Sequence, residues 1–279
     1  MSVLHEQGEL VTIAPTRGFG GLGLRRLWAF RELVLLLAWR DVKVRYTRTT
    51  IGVLWALAQP IVLVVAFAFI FGRFVKVESV GVPYPVFVFA GLLPWQVFVS
   101  GLAQAANSLI AGSGLLTKVN FPRLALPLAA VLGVSVDLAA AVIVLVGLLA
   151  VYGVGVGPEI VFLPLLALLV LAAALAVGVW LAALGTRYRD LQHTIPMLTQ
   201  VWFFMTPVAY PASLVPAEWR WLYELNPLVG IVEGFRAVLL GTSIPLARPL
   251  TFSVLVTTSL LASGVYIFRQ VDRTLADGL

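Results

Sequence analysis

The chain has 279 residues, 61% of them apolar and 11% charged, with a mean hydropathy of +1.00 and a formal net charge of +6. Soluble domains carry roughly 45–50% apolar and 25% charged residues, so this composition excludes a soluble enzyme and specifies a polytopic membrane protein. Cysteine is absent, which removes disulfides, thiolate metal sites and cysteine nucleophiles, and the two histidines, His5 and His193, form no HExxH pattern.

Residues 1–23 read as a cytoplasmic tail, since no apolar core follows a basic stretch as it would in a signal peptide. Residues 24–49 are expected to form an amphipathic interfacial helix. On a helical wheel Trp28, Leu35, Trp39, Val42 and Tyr46 share one side, while Arg26, Arg40, Asp41 and Arg48 point away. The run LVLLL at 33–37 is apolar all round, which places this helix partly in the headgroup boundary or against the bundle. It serves either as a basic anchor or as a cytoplasmic platform, with Arg40 and Arg45 available to a partner.

A membrane-spanning helix needs about 20 mostly apolar residues. Six stretches qualify: residues 51–72, 86–110, 124–151, 160–184, 194–210 and 249–268. The fifth is short and holds Pro196 and Pro207. With the N-terminus inside, 14 of the 19 lysines and arginines fall in cytoplasmic segments, and the exceptions are Arg73, Lys76, Arg220, Arg236 and Arg248. The positive-inside rule therefore puts both termini, including the tail at 272–279, in the cytoplasm. The positive charge is topological and suits anionic lipid; it does not indicate nucleic-acid binding.

Asp137 is the one ionisable residue deep in a predicted span. An isolated charge there costs about 2.5–3.5 kcal/mol, so it needs a helix partner, a hydrated contact or a proton. As a proton-coupling carboxylate it lacks a second acid. Small residues recur in spans two and three (Gly101, Ala105, Ser108, Gly133), as close helix packing requires.

Two basic turns link spans on the cytoplasmic side. In GSGLLTKVNFPRLALP, residues 112–127, one or two helical turns are expected across the membrane face. Leu116 and Phe121 would be apolar knobs, with Val119 between charged edges Lys118 and Arg123. TRYRDLQHTIP, residues 186–196, forms the other elbow. On the outer side, the stretch from Asn226 to residue 240 is too short to span and carries Glu233 and Arg236 three apart on one face. A re-entrant helix pair between spans five and six is expected, forming an external gate over a cavity.

Energy supply is the decisive absence. The lysines Lys43, Lys76 and Lys118 do not follow glycine, so no Walker A loop exists and ATP hydrolysis would have to come from a separate subunit docked on the cytoplasmic elbows. Ion-coupled carriers use repeats and paired intramembrane acids, neither of which is present.

The motifs RDVKVRYTRTTIGVLWALAQP, VPYPVFVFAGLLPWQVF, ANSLI, LLTKVNFPRLALPLAAV, RYRDLQHTIP, TPVAYP, NPLVGIVEGFR and FRQVDRTLADGL follow one another in order. Together they resemble the membrane (permease) subunit of type-2 ABC exporters of polysaccharide, the O-antigen and teichoic-acid group, over roughly residues 30–279. The resemblance implies two copies of the chain with two ATP-binding subunits, and ATP and Mg on those partners with no cofactor here. It also implies a coupling role for LLTKVNFPR and a lipid-linked polymer as cargo in a bacterial cell membrane. Trp55, Trp95, Phe98, Trp202, Phe203, Phe204 and Tyr210 either supply flat faces on which sugars can slide without tight register or face lipid and pack between helices. The competing readings are an exporter of a drug or small lipid with this architecture, and an ion-coupled carrier.

Overall fold

The computed structural model describes residues 24–47, 53–74, 81–116, 118–185, 188, 190–241 and 246–277. Among the described residues every extended element is helical. In order they are α1 (Leu24–Ala29), α2 (Arg31–Thr47), α3 (Val53–Phe67) continued by a π-helical segment (Ala68–Phe74), α4 (Tyr84–Ala111), α5 (Ser113–Leu116) and α6 (Ala125–Gly133). After these come α7 (Ser135–Tyr152), α8 (Leu163–Gly185), α9 (Leu191–Phe204), α10 (Arg220–Glu224), α11 (Pro227–Leu240) and α12 (Ala247–Asp277).

Four stretches are long and apolar enough to cross a membrane: Tyr84–Ala111, Ala125–Tyr152, Pro158–Gly185 and Ala247–Gln270. They coincide with expected spans two, three, four and six. Expected span one is α3 with its π-helical extension, and the first two residues of that span lie outside the described residues. Expected span five differs. Its helix, α9, has 14 residues, or roughly 21 Å against about 30 Å of hydrocarbon. The helix stops because Pro207 offers no amide donor and disfavours helical backbone at Thr206.

The central post is α4, since 78% of its apolar window is buried against 22–28% for the other three stretches. Small residues let α8 lie close beside it. A Cβ on Gly178 would come within 2.4 Å of the Ala105 Cβ, and one on Gly101 within 2.9 Å of the Ala174 Cβ, the close approach expected of small-residue interfaces. Helix α11 is inserted among α4, α8 and α12. All 14 of its residues are buried, so this half of the expected helix pair is an interior element, whereas Trp221 and Leu222 of α10 are exposed. Asn226 caps α11 by accepting the Leu228 amide, Pro227 occupies its first turn, and Gly241 closes it at φ 63°, a left-handed position that glycine takes without strain.

Two hydrophobic clusters divide the bundle along its length. The larger holds Phe87, Phe98, Val170 and Phe235, and the smaller holds Val34, Leu109, Phe121, Ala182 and Phe268. Helix α2 packs on α6 within the smaller cluster. At Gly133 a Cβ would sit 3.5 Å from the Ala38 carbonyl oxygen and 3.6 Å from Val42 Cγ2, ordinary contact distances.

The face that α2 buries is Val34, Leu37, Ala38 and Val42, while Trp28, Leu35, Leu36 and Trp39 are exposed. The apolar stripe expected from the helical wheel is therefore split, with Val42 packed inward and Trp28, Leu35 and Trp39 outward. Residues 33–37 are apolar on every side, so hydropathy does not select a face; packing on α6 and the smaller cluster does.

Candidate functional site

Three groups of the sequence-selected residues gather in space. The first is the turn that follows α4. Gly112 ends that helix, α5 adds one turn, and the chain runs through Lys118, Val119 and Asn120 before Pro122 leads into α6. Leu116, Lys118, Val119, Asn120, Phe121 and Arg123 line a recess of about 320 Å³. Within it Phe121 departs from expectation. Its ring is 5% exposed and belongs to the smaller hydrophobic cluster, whereas Val119 is 46% exposed. The ring turns inward because Leu109, Ala125 and Leu126 offer it an apolar seat, and an exposed phenyl would forgo about 1.5–3 kcal/mol of burial. The outward surface of the turn is Lys118, Val119 and Asn120, with Leu116 and Arg123 half-buried at its flanks.

On α2, Arg40 pairs with its neighbour Asp41 at 2.8 Å on the exposed side. Arg45 turns into the bundle instead. Its guanidinium pairs with Asp137 of α7 and donates to Gln104 of α4, and the Tyr46 hydroxyl donates to the other Asp137 oxygen. Burial and the bond to Asp137 push the Tyr46 phenol up to about 12, so it remains a donor throughout the physiological range. The partner of the lone acid thus comes from the helix that precedes the first span. Gln104 lies roughly 30 Å along α4 from Tyr84, about one hydrocarbon thickness.

The second group is a band of rings between α4 and α9. Trp95 meets Phe98 at 6.0 Å and Phe203 at 5.4 Å, Phe98 meets Trp202 at 5.1 Å, and Phe203 meets Phe204 at 5.5 Å. Most of these pairs are tilted or edge-to-face, the arrangement that ring quadrupoles favour. Phe67, which the sequence reading did not select, joins the band at 5.7 Å from Phe203. Trp95 and Phe98 are buried, Trp202 and Phe203 half-buried, and Phe204 is 67% exposed. The side chain of Trp55 lies outside the described residues. Tyr210 donates to the Phe204 carbonyl at 2.9 Å and accepts from Tyr223 at 3.1 Å. Burial and that bond push the Tyr223 phenol upward.

The third group holds the turn at residues 205–210. Asn226 donates to the Met205 carbonyl at 3.1 Å and to Thr206 Oγ1 at 3.0 Å, and it accepts from the Trp202 indole at 3.0 Å. Arg236, entirely buried, pairs with Glu233 at 2.9 Å and donates to the carbonyls of Val208 at 2.7 Å and Tyr210 at 3.3 Å. Its guanidinium also lies 3.7 Å over the Phe87 ring. Gly91 makes the room: a Cβ there would meet both the Arg236 guanidinium and the Val208 carbonyl at 2.8 Å. Asn226, Glu233 and Arg236 thus converge on one turn, and through Trp202 they touch the aromatic band. The carbonyl clamp and the role of Gly91 were missed from the sequence; the glycine within FAGLLP was the available signal. Among the described residues, no three His, Asp or Glu side chains gather to hold a metal ion.

The arrangement is a basic turn at one end, a clamped turn at the other, and rings between them. The sequence model of the ABC-2 type transporter family matches residues 32–240, which takes in the turn, the band and the clamp. The O-antigen export system permease protein RfbA of Myxococcus xanthus is 30% identical over 259 residues, covering 92% of this chain and 98% of that protein. A permease of the same name from Klebsiella pneumoniae is 27% identical over 249 residues, covering 88% and 94%. The polysialic acid transport protein KpsM of Escherichia coli is 26% identical over 240 residues, covering 85% and 92%. With its model running through all three groups and relatives matched nearly end to end, the chain belongs to the ABC-2 type transporter family.

Proposed function

We propose that this chain is the membrane subunit of an ATP-driven exporter that carries a lipid-linked polysaccharide, of the O-antigen or teichoic-acid kind, from the cytoplasmic to the outer side of a bacterial cell membrane. The observation that carries the reading is the near end-to-end likeness to permeases named for O-antigen export and polysialic acid transport. The chain itself does no chemistry. Two copies associate with two ATP-binding subunits, which hold ATP and Mg, and both termini of the chain lie in the cytoplasm.

In this reading the chain crosses the membrane six times, with α3 and its π extension as the first crossing and α9 with the clamped turn as the short fifth. Helices α10 and α11 form the re-entrant pair beneath the outer surface. The ATP-binding subunit meets Lys118, Val119 and Asn120, with Arg40 alongside. Phe121 does not enter the partner; it is the lever's root, passing movement of the turn to the smaller hydrophobic cluster and so to α2, α8 and α12. Arg45 ties α2 to α4 and α7, so the platform and the spans move together. Phe204, with the half-buried faces of Phe203 and Trp202, meets the polymer, and Trp95 and Phe98 support them from behind. Asn226, Glu233 and Arg236 set the outer turn at the end of that path.

Deletion of the gene in its native host tests the proposal. The expected outcome is loss of a surface polysaccharide with accumulation of its lipid-linked form inside the cell, restored by the intact gene. Unchanged surface polysaccharide, with sensitivity gained to a drug or a change in membrane lipid, would overturn it.

A further inference from the structure

A groove of about 620 Å³ runs between α3, α4 and α7, outside the turn, the band and the clamp. One wall is a stripe on α3 and its π extension: Ile61, Val65, Phe69 and Arg73, four residues apart each time. In π-helical backbone, bonding from i to i+5 widens each turn, so positions four apart stay more nearly in line than they would in an α-helix. That widening falls at Ala68–Phe74 and carries the stripe on to Arg73. The opposite wall is Val144, Leu148 and Tyr152 of α7, also four apart, and buried Phe89 and Tyr84 of α4 form the floor. Gly72 closes the Arg73 end tightly, since a Cβ there would meet the Tyr84 ring at 3.2 Å.

The groove opens sideways onto an apolar surface. Ile61 is 46% exposed, Val65 63% and Phe69 57%, and outside the groove Val62 and Ile143 continue the same exposed character. From Ile61 to Arg73 it measures roughly 18 Å, close to the roughly 15 Å of hydrocarbon in one leaflet. The one cation among its described lining residues, Arg73, lies at the end that also holds Tyr152, where the aromatic belt and the phosphate layer of a leaflet would be. Length, lateral opening and charge position together match an anionic phospholipid.

We propose that this groove is a binding site for one anionic diacyl phospholipid of the outer leaflet, with an acyl chain along Ile61, Val65 and Phe69 and the phosphate on Arg73. The proposal rests on the membrane orientation given above but not on the identity of the cargo. Guanidinium and phosphate meet in a bidentate, charge-assisted pair, and a zwitterionic headgroup, which carries the same phosphate, also brings an ammonium that Arg73 repels, so the site favours a lipid of net negative charge. A lipid seated there fills the gap between the first and third spans and stiffens the π-helical turn.

The test uses the full chain, purified with its ATP-binding subunit and stripped of lipid. It is titrated with dioleoyl phosphatidylglycerol or dioleoyl phosphatidylcholine and read by native mass spectrometry. The expected result is one phosphatidylglycerol per chain, bound at least about tenfold more tightly than phosphatidylcholine, the factor that repulsion between Arg73 and the choline ammonium supplies. Arg73→Gln should erase the preference, and Val65→Trp, at an exposed position, should abolish the bound lipid by filling the groove. Equal affinity for the two lipids, or an undiminished preference in Arg73→Gln, would overturn the assignment. So would spontaneous disulfide-linked dimers of Val65→Cys in this cysteine-free chain, because a second copy would then cover the groove. Polysaccharide export by the same preparations reports on the cargo separately, so the two proposals fail by different readings.

Discussion

The Arg45 guanidinium is paired with the Asp137 carboxylate although 92 residues separate them in the chain, and the same guanidinium donates to Gln104. One interaction therefore joins α2, α4 and α7, and it explains how an acid is tolerated at that point in an apolar helix. The side chains are 29% and 24% exposed, so the pair is neither a surface ornament nor a fully desolvated charge.

A double-mutant cycle with Arg45→Leu and Asp137→Leu should give a coupling energy of about 1–2 kcal/mol, between exposed and fully buried pairs. Thermal unfolding of the purified protein measures it. Asp137→Asn retains hydrogen bonding and should retain ATP-driven export without any dependence on a proton gradient. Gradient-driven transport that Asp137→Asn abolishes would instead make Asp137 a proton carrier.

Arg236 and Glu233 form the most deeply buried pair among the described residues. Glu233→Leu leaves Arg236 uncompensated in a dry site and should cost about 3–5 kcal/mol, seen as loss of monodisperse protein on heating. Arg236→Lys should also fail to restore stability, because one ammonium does not reproduce the fork that reaches Glu233, Val208 and Tyr210 together.

The coupling turn separates folding from contact. Phe121→Ala empties a core seat and should lower stability by about 3–5 kcal/mol. Val119→Glu leaves the core intact and should instead abolish stimulated ATP turnover in the assembled complex. Cysteine at Val119 should crosslink to the ATP-binding subunit. If Val119→Glu couples normally and the crosslinks form only from α2, the turn is a stop between two spans.

Two glycines give opposite outcomes on alanine substitution. At Gly178 the new methyl meets the Ala105 Cβ at 2.4 Å and should force α4 and α8 apart at about 1–3 kcal/mol. At Gly147, in the interior of α7, nothing lies within 4 Å, so alanine should be neutral or stabilise by roughly 0.5–1 kcal/mol. The melting temperature should fall for Gly178→Ala and hold or rise for Gly147→Ala.

Helix identity was largely legible in the sequence because unbroken apolar runs mark four stretches, and Asn226 with Pro227 marks the start of α11 through capping chemistry. The end of α9 was misjudged: apolarity continues through Val208 and Ala209, but Pro207 has already ended the helix. Which way Phe121 faces was not legible, because an aromatic residue in a basic turn suits either a partner or its own core, and the decision lies with Val34, Ala182 and Phe268, brought from distant sequence into the same cluster. The Arg45–Asp137 pair was hidden for the same reason, since charge patterns within one helix carry no information about a partner 92 residues away.

The most direct test of the account is reconstitution of this chain with its ATP-binding subunit in proteoliposomes loaded with a fluorescent lipid-linked polysaccharide on the side that holds the ATP-binding subunit. The account predicts that polymer appears on the opposite side only when both subunits and ATP are present, and that this chain alone neither hydrolyses ATP nor moves polymer. Translocation by this chain alone, driven by an ion gradient without ATP, would contradict it.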